Sequence, residues 1–176
     1  MESSGYCEVL VKVKATKAEQ TIQRVLWILA YVFLGLSVLF LFMGMFHLLF
    51  WPLTLVFLIA AQVWRRRLNI EYEYQYLDGS LRIDKIIAMK KRKKCGRYEM
   101  DNLYAMAPEG AEQLAAYQKR DNLKQADYSS HDKEAPNRYQ LVFQNELVTF
   151  EPSEDMVRQI WRTAPSKVTR KKAIAG

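Results

Sequence analysis

The feature that most constrains this chain is a run of 40 residues, from Val25 to Trp64, that contains no Asp, Glu, Lys or Arg. As one helix this run would be roughly 60 Å long, about twice the ~30 Å thickness of a hydrocarbon core, whereas two antiparallel helices fit. Helices of soluble proteins alternate apolar and polar faces, and this run does not. A cleaved signal peptide also fits badly, because the first 24 residues are mixed in charge and no small-residue cleavage site follows them. We therefore expect a transmembrane helical hairpin.

The break between the two helices is predicted between Met45 and Trp51. Gly44 loosens the end of the first helix, and Pro52 suits the first turn of the second, where its missing N–H has no partner to lose. The predicted helices are about 22–44 and 52–67. Aromatic residues typical of membrane–water interfaces occur near both ends of this hairpin, namely Phe46, His47, Phe50 and Trp51 at the turn and Trp27, Tyr31 and Trp64 at the other side.

The flanking charges predict the orientation of the hairpin. Basic residues precede it (Lys12, Lys14, Lys17 and Arg24) and follow it at once (Arg65, Arg66 and Arg67), while the connecting turn has no formal charge. The positive-inside rule then gives a multi-pass membrane protein with both termini in the cytoplasm and the turn outside. The two cysteines, Cys7 and Cys95, fall on the reducing side without a metal-binding spacing, so neither a disulfide nor a metal is expected.

After the arginines the sequence pattern changes to that of β-strands. In NIEYEYQYLDGSLRIDKII, Ile70, Tyr72, Tyr74 and Tyr76 alternate with polar residues, which predicts a strand with one buried face. Such a face accounts for the tyrosine repeat better than a ligand platform does. Asp78-Gly79 is a typical two-residue hairpin turn, and the return strand starts near Leu81. A third strand is predicted around Lys94–Met100, after the basic run.

The ends of the chain complete the predicted domain. RYQLVFQNELVTFEP predicts a second hairpin with strands near 138–143 and 146–150, and SEDMVRQIWRTAP predicts a helix with Ser153 as its N-cap. YCEVLVKVK predicts a first strand that pairs with the downstream sheet, so that the helical hairpin is an insertion. Between them, PEGAEQLAAYQKR is consistent with a short helix and DYSSHDKEAPN with a loop.

This layout resembles a family of small bacterial membrane proteins, similar to membrane-tethered bacterial PH-like domains that include YcxB-like proteins. The resemblance lies in the hairpin, in EYEYQYLDGSLRIDKI and in LVTFEPSEDMVRQIWRTAPSKV. It implies a bent antiparallel sheet capped by a C-terminal helix, and it implies no catalytic residues. The expected fold class is α+β, a transmembrane helical hairpin inserted before a small antiparallel β (PH-like) domain closed by a C-terminal helix. The expected segments are 1–20 (first strand and flank), 21–67 (hairpin), 68–166 (PH-like domain, with its helix at 153–163) and 167–176 (basic tail).

Outside the apolar run the charges are segregated. Residues 65–98 contain eleven Lys/Arg and four Asp/Glu, residues 99–157 contain five and twelve, and residues 158–176 contain six and none. The positive charge therefore lies in the segment that leaves the membrane and in the tail. The acidic middle would be repelled by nucleic acid and by an anionic bilayer, so we expect it to face away from both.

The densest basic run is AMKKRKKCGRY, residues 88–98, with six positive charges from Lys90 to Arg97. Nucleic-acid binding would need interleaved aromatic residues or a groove-binding helix, and a nuclear localisation signal does not suit a membrane hairpin. A solvated β connection and a contact with anionic headgroups both remain open. We favour the headgroup contact, because an antiparallel return strand brings residue 90 back towards the bilayer. The predicted headgroup-contact residues are Arg65, Arg66, Arg67, Lys90, Lys91, Arg92, Lys93, Lys94 and Arg97.

No catalytic pattern is apparent. His47 is predicted beside the bilayer and His131 in a polar loop, and the sequence has no Walker-type glycine loop, GxSxG or HExxH. We expect no enzyme activity, no cofactor and no nucleic-acid partner. The predicted function is a non-catalytic module at the inner membrane surface that binds anionic lipids or a protein partner, a second copy of the chain included. The alternative is an assembly subunit that acts through its helices, where small residues would allow close contact (Gly35, Ser37, Gly44, Ala60 and Ala61).

Overall fold

The structure is a computed structural model that describes residues 6–39, 41, 44, 47–118, 123–132 and 134–171, with the backbone alone at 47–49. The chain divides into two compact units. The helical unit contains Lys14–Ile70 and Ile87–Met89. The β unit contains the described residues of Met1–Val13, Glu71–Ile86 and Lys90–Gly176.

The helical unit is a pair of helices, α1 (Lys17–Leu39) and α2 (His47–Leu68). The rings of Phe33 and Phe57 stack with centroids 5.1 Å apart, and Ser37 Oγ lies 3.4 Å from Thr54 Oγ1. Each of these hydroxyls also donates to the carbonyl four residues earlier in its own helix, which satisfies it in an apolar setting. Small residues, Ala30 and Ala61, are buried where the helices contact each other.

The helix bounds differ from the predicted 22–44 and 52–67. The first helix ends at Leu39 and the second begins at His47, so Pro52 lies inside α2 and not in its first turn. A proline inside a helix removes one backbone hydrogen bond, and the surrounding apolar helix continues through it. Residues 45 and 46 of the predicted turn, and residues 172–176 of the predicted basic tail, lie outside the described residues.

The outward surface of the helical unit is apolar. In the described residues α1 is long and apolar enough to cross a bilayer, and 11% of its most apolar stretch is buried within the chain. A helix from the core of a soluble protein would be mostly buried instead. The exposed large apolar side chains of both helices include Ile28, Tyr31, Val38, Leu39, Trp51, Leu55, Val56 and Ile59.

In its described residues the β unit consists of two four-stranded sheets and two α-helices. Sheet A has the order β1-β2-β3-β4, formed by Cys7–Lys12, Ile70–Leu77, Ser80–Ile87 and Lys91–Glu99. Sheet B has the order β5-β7-β8-β6, formed by Ala105–Pro108, Tyr139–Val142, Glu146–Phe150 and Lys124–Asp127. A 3₁₀ turn at Met100–Asn102 joins the sheets, and the helices are α3 (Glu112–Gln118) and α4 (Glu154–Thr163).

The predicted β2–β3 hairpin is confirmed. Tyr72, Tyr74 and Tyr76 are buried, and Asp78 and Gly79 have the positive φ values of 47° and 82° that such a turn requires. β1 pairs antiparallel with β2, which confirms that the first strand joins the downstream sheet and that the helices are an insertion. The second predicted hairpin is confirmed as β7 and β8.

Three features of the β unit were not predicted. There are two sheets and not one, and sheet B is mixed because β6 runs parallel to β8. β5 and β6 lack the β-branched alternation that marks a strand. β4 begins at Lys91, so most of the basic run is a strand and not the connection before one.

The core of the β unit lies between the inner faces of the sheets and α4. The Tyr74 ring packs edge-on against Phe150 with centroids 5.7 Å apart, and the Tyr74 hydroxyl donates to the Tyr128 carbonyl at 2.6 Å. α4 begins at the predicted N-cap, where Ser153 Oγ accepts from the Met156 N–H, and it buries Met156, Val157 and Ile160. The predicted closing helix is therefore confirmed.

Candidate functional site

One end of sheet A carries both connections to the helices. β1 ends at Lys12, which pairs with Glu71 at the start of β2. The turn between β3 and β4 is closed by a hydrogen bond of 2.7 Å from the Ala88 N–H to the Asn69 carbonyl. Asn69 comes directly after the last residue of α2. We call this region, Lys12, Asn69–Glu71 and Ile87–Lys91, the hairpin-side end of sheet A.

Two of the predicted contact residues, Lys90 and Lys91, belong to this end, and six more lie next to it along the chain. Arg65, Arg66 and Arg67 are exposed in the last turn of α2, and Leu68 separates them from Asn69. Lys90 is the last residue of the β3–β4 turn, and Lys91–Lys94 are the first four residues of β4, all exposed. The structure therefore places most of the basic run on an edge strand that follows the Ala88-Met89 turn.

The basic residues of the run differ in whether they already form an ion pair. In the described part of the chain, no ion pair involves the four lysines of the run, Lys90, Lys91, Lys93 and Lys94. All four side chains are exposed to solvent. Arg92 instead pairs with Glu73, with Nη2 3.2 Å from Oε1 and Nη1 3.1 Å from Oε2. The four lysines are thus the residues best placed to contact an external anion.

Arg97 lies apart from the other basic residues of the run. Its Nε donates to Glu99 Oε1 at 2.8 Å and to Ser80 Oγ at 3.1 Å. Ser80 follows the Asp78-Gly79 turn, at the opposite end of β3 from Ala88. At about 3.3 Å per residue, Arg97 is roughly 20 Å along β4 from Lys91.

Glu73 is a buried carboxyl group on the face of sheet A opposite to the tyrosines. Its side chain is 3% exposed, and it interacts with the exposed carboxyl group of Glu8 on β1. Burial and the bond with Glu8 raise the pKa of Glu73, against the opposing effect of Arg92. Hydrogen bonds from Glu73 and from Tyr6 lower the pKa of Glu8. Sequence alternation assigned Glu73 to a solvated face, and no local signal distinguishes it from Glu71.

A concave region lies on sheet B, separate from the basic run. It is a cleft of about 480 Å³ lined by residues of β6, β7 and β8 and by the segments beside them: Glu109, Gln125, Ala126, Asp127, Arg138, Gln140, Leu147 and Thr149. Leu147 also belongs to a buried apolar cluster in which Leu114 of α3 packs with Ala107 and Val142 of sheet B. The cleft therefore adjoins that cluster at Leu147.

The arginine of the cleft lining lies between two carboxyl groups. Arg138 Nε lies 3.0 Å from Glu109 Oε2, its Nη2 lies 3.8 Å from Asp127 Oδ2, and the arginine side chain is only 14% exposed. Burial raises the pKa of Asp127, but hydrogen bonds from Ser129 and the charges of His131 and Arg138 outweigh burial and lower it overall. Such a cleft suits a small polar group better than an apolar ligand. Among the described residues, no group of three or more His, Cys, Asp or Glu side chains is placed to hold a metal ion.

Comparison with known proteins identifies the family. No curated protein and no solved structure matches the chain. A family model described as a bacterial PH-like domain (DUF6106) matches residues 3–170, which includes β1, both helices of the insertion, both sheets and α4. The chain therefore belongs to this family of bacterial PH-like domains.

Proposed function

We propose that this protein is a two-pass protein of the bacterial cell membrane whose PH-like domain is a non-catalytic module at the inner membrane surface. Both helices present apolar side chains outward, and α1 meets the length and composition of a membrane span. Arginines end α2 and lysines precede α1, which favours a cytoplasmic location for both chain ends. The module binds anionic lipid headgroups through four lysines, Lys90, Lys91, Lys93 and Lys94.

The observation that carries this proposal is the hydrogen bond between Ala88 and Asn69. It ties the turn before the lysines to the residue that follows α2. If α2 ends at the membrane surface, the lysines that begin β4 lie within a few residues of that surface. Each Lys or Arg near an anionic surface contributes about 1 kcal/mol, and the effect decays over a Debye length of ~8–10 Å. Four lysines, only partly within range, would still contribute a few kcal/mol.

The alternative, an assembly subunit acting through its helices, receives less support. Ser37 and Ala61, two of the small residues that could allow a partner helix to approach, are buried within the helical unit itself. The outward surface consists mainly of large apolar side chains, which lipid tails solvate well.

Lysine footprinting of the full chain tests the proposal. The protein is placed in nanodiscs of phosphatidylcholine, with or without phosphatidylglycerol, and an amine-reactive reagent modifies the exposed lysines. We expect Lys90, Lys91, Lys93 and Lys94 to react more slowly when anionic lipid is present, and salt to restore the rates because exposed charges are screened. Lys124, exposed on β6 in the sheet that lacks the helical insertion, is the internal control and should react equally in both lipids.

A contrary result has a definite meaning. Lysines on an edge strand also prevent the strand from pairing with another sheet, a role that needs no lipid. If each of the five lysines reacts at the same rate with and without phosphatidylglycerol, the headgroup contact is rejected. The basic run would then keep only this protective role.

A further inference from the structure

The β3–β4 turn has an unusual composition for its geometry. Ala88 and Met89 both have positive φ values, 52° and 57°. The connection has three residues, Ala88–Lys90, between the end of β3 and the start of β4. Positions with positive φ favour Gly, Asn and Asp, because other side chains crowd the backbone in this region. The β2–β3 turn of the same sheet has Asp78 and Gly79 at its two positions of positive φ. The chain therefore retains a methyl and a thioether side chain where a more stable turn sequence exists.

The Met89 side chain projects into solvent. It is 70% exposed, more than any other large hydrophobic residue in the described part of the chain. Lys90–Lys94 follow it directly, and the half-buried Ile87 precedes the turn. An apolar tip with basic residues beside it matches the two layers of an anionic bilayer interface, apolar below and negatively charged above.

The location of the turn agrees with this chemistry. Ile87–Met89 belong to the helical unit, although the strands on either side belong mainly to the β unit. The bond from Ala88 to Asn69 fixes the turn beside the end of α2, two residues after the last of the arginines that would mark the membrane surface.

We propose that the Ala88-Met89 turn is a membrane-inserted tip, with the Met89 side chain in the upper acyl region and the following lysines among the phosphates. This inference rests on the proposed function, since it requires α2 to end at a bilayer. It adds an apolar contact to the electrostatic one, and it gives a reason for the strained turn. A flexible, unbranched thioether suits a fluid lipid environment.

Quenching by lipids with brominated acyl chains tests the tip in the full chain. Single cysteines for an environment-sensitive fluorophore are introduced by Met89→Cys, Leu77→Cys or Ile59→Cys in a Cys7→Ser, Cys95→Ser background. Leu77 is the matched control, because it is also exposed and lies beside the β2–β3 turn, at the opposite end of β3. Ile59, exposed on α2, reports whether the helices are in the bilayer. We expect quenching and a blue-shifted emission at positions 59 and 89 and neither at 77.

The three positions separate the two proposals. Quenching at 59 without quenching at 89 would overturn the inserted tip and leave the two-pass membrane function intact. No quenching at 59 would reject the proposed function, and the tip with it. Equal quenching at 77 and 89 would also overturn the tip, because contact would then be unspecific.

A second variant tests the role of the side chains without a label. Ala88→Asn combined with Met89→Gly gives the turn its favoured sequence, so backbone amides of β3 and β4 should exchange more slowly than in the wild type. If Met89 inserts, the same variant should lose protection of Lys90 and Lys91 in anionic nanodiscs, with modification rates rising several-fold. A slower exchange with unchanged lysine protection would overturn the inserted tip.

Discussion

At the scale of single residues, the close approach of Tyr98 to Gly96 gives a sharp prediction. A Cβ atom at position 96 would lie 2.6 Å from Cε2 and 2.7 Å from Cζ of the Tyr98 ring. The ring cannot move away easily, because it stacks on Phe143 with centroids 5.1 Å apart and is 8% exposed. We predict that Gly96→Ala lowers the free energy of unfolding of the β unit by roughly 1–3 kcal/mol, the usual cost of overpacking.

Native-state hydrogen exchange of the full chain in detergent measures this loss at the β4 amides. Gly35→Ala is a suitable control, because no atom within 4 Å would meet its Cβ. In a Tyr98→Leu background, Gly96→Ala should lower the free energy of unfolding by less, because the Tyr98 ring that the new Cβ would meet is absent. An equal cost in both backgrounds would contradict the proposed clash.

The Glu8–Glu73 pair predicts a pH dependence with opposite signs for its two members. The native pKa of Glu73 is raised by burial, so its ionisation costs stability as the pH rises from 4.5, its ordinary value, through the native value. Glu73→Gln, neutral at every pH, should therefore stabilise the β unit above this range and not below it. The native pKa of Glu8 is lowered by its bond with Glu73, so Glu8→Gln should lose stability above pH 4.5.

Exchange rates of the β2 amides between pH 4 and 8 (about the titration range of a perturbed carboxyl group) give both curves. Destabilisation by Glu73→Gln at neutral pH would mean that the ion pair with Arg92 outweighs the burial of the carboxylate. Two curves of the same sign would contradict the opposite shifts of the two pKa values.

At the scale of elements, the N-cap of α4 is a local feature whose energy can be tested directly. Ser153 Oγ accepts a hydrogen bond of 3.2 Å from the Met156 N–H. Ser153→Ala should lower the free energy of unfolding by about 1 kcal/mol, within the usual range of roughly 0.5–2 kcal/mol for a lost cap. Ser153→Asp should retain most of that stability, because Asp is an equally good cap. Amide exchange in α4 measures both. If Asp fails to rescue, the loss comes from the 3.6 Å contact between Ser153 Oγ and Cys7 Sγ and not from the cap.

Elements that depend on local chemistry were predictable, and those that depend on distant partners were not. The β2–β3 hairpin follows from tyrosine alternation and the Asp78-Gly79 turn, and α4 follows from its cap and apolar stripe. β6 has the sequence KQAD and is a strand because it lies parallel to β8, a pairing between residues far apart in the sequence. Residues Lys91–Lys94 form a strand because an edge position needs only one partner and tolerates charge.

The same division applies to the candidate site. The basic run and the arginines after α2 are visible in the sequence, and so is their proximity through an antiparallel return. The pairing of Arg92 with Glu73 joins strands that are not neighbours in sheet A, so no spacing along the chain indicates it. The exposure of Met89 was not predicted either, because it follows from a turn whose residues do not match the usual turn sequences. The likeness to YcxB-like proteins stays a prediction.

At the scale of the whole molecule, the insertion of both helices between β1 and β2 makes the number of membrane crossings testable. β1 pairs with β2, so residues on either side of the insertion must lie on the same side of any membrane. Cys7 precedes the helices, Cys95 follows them, and they are the two cysteines of the chain. We predict that an impermeant thiol reagent labels both from the cytoplasmic face of sealed vesicles and neither from the outer face.

Leu41→Cys supplies the opposite reporter, because Leu41 is exposed after α1 and precedes α2. It should label from the outer face alone if both helices cross the bilayer. Burial raises the pKa of Cys95, so labelling is compared at alkaline pH, where the thiolate forms more readily, with detergent-opened vesicles as the reference for full reaction. Labelling of all three positions from the cytoplasmic face would instead mean that the helical unit lies on the membrane without crossing it. That result would remove the two-pass topology while leaving the paired strands and the family assignment unchanged.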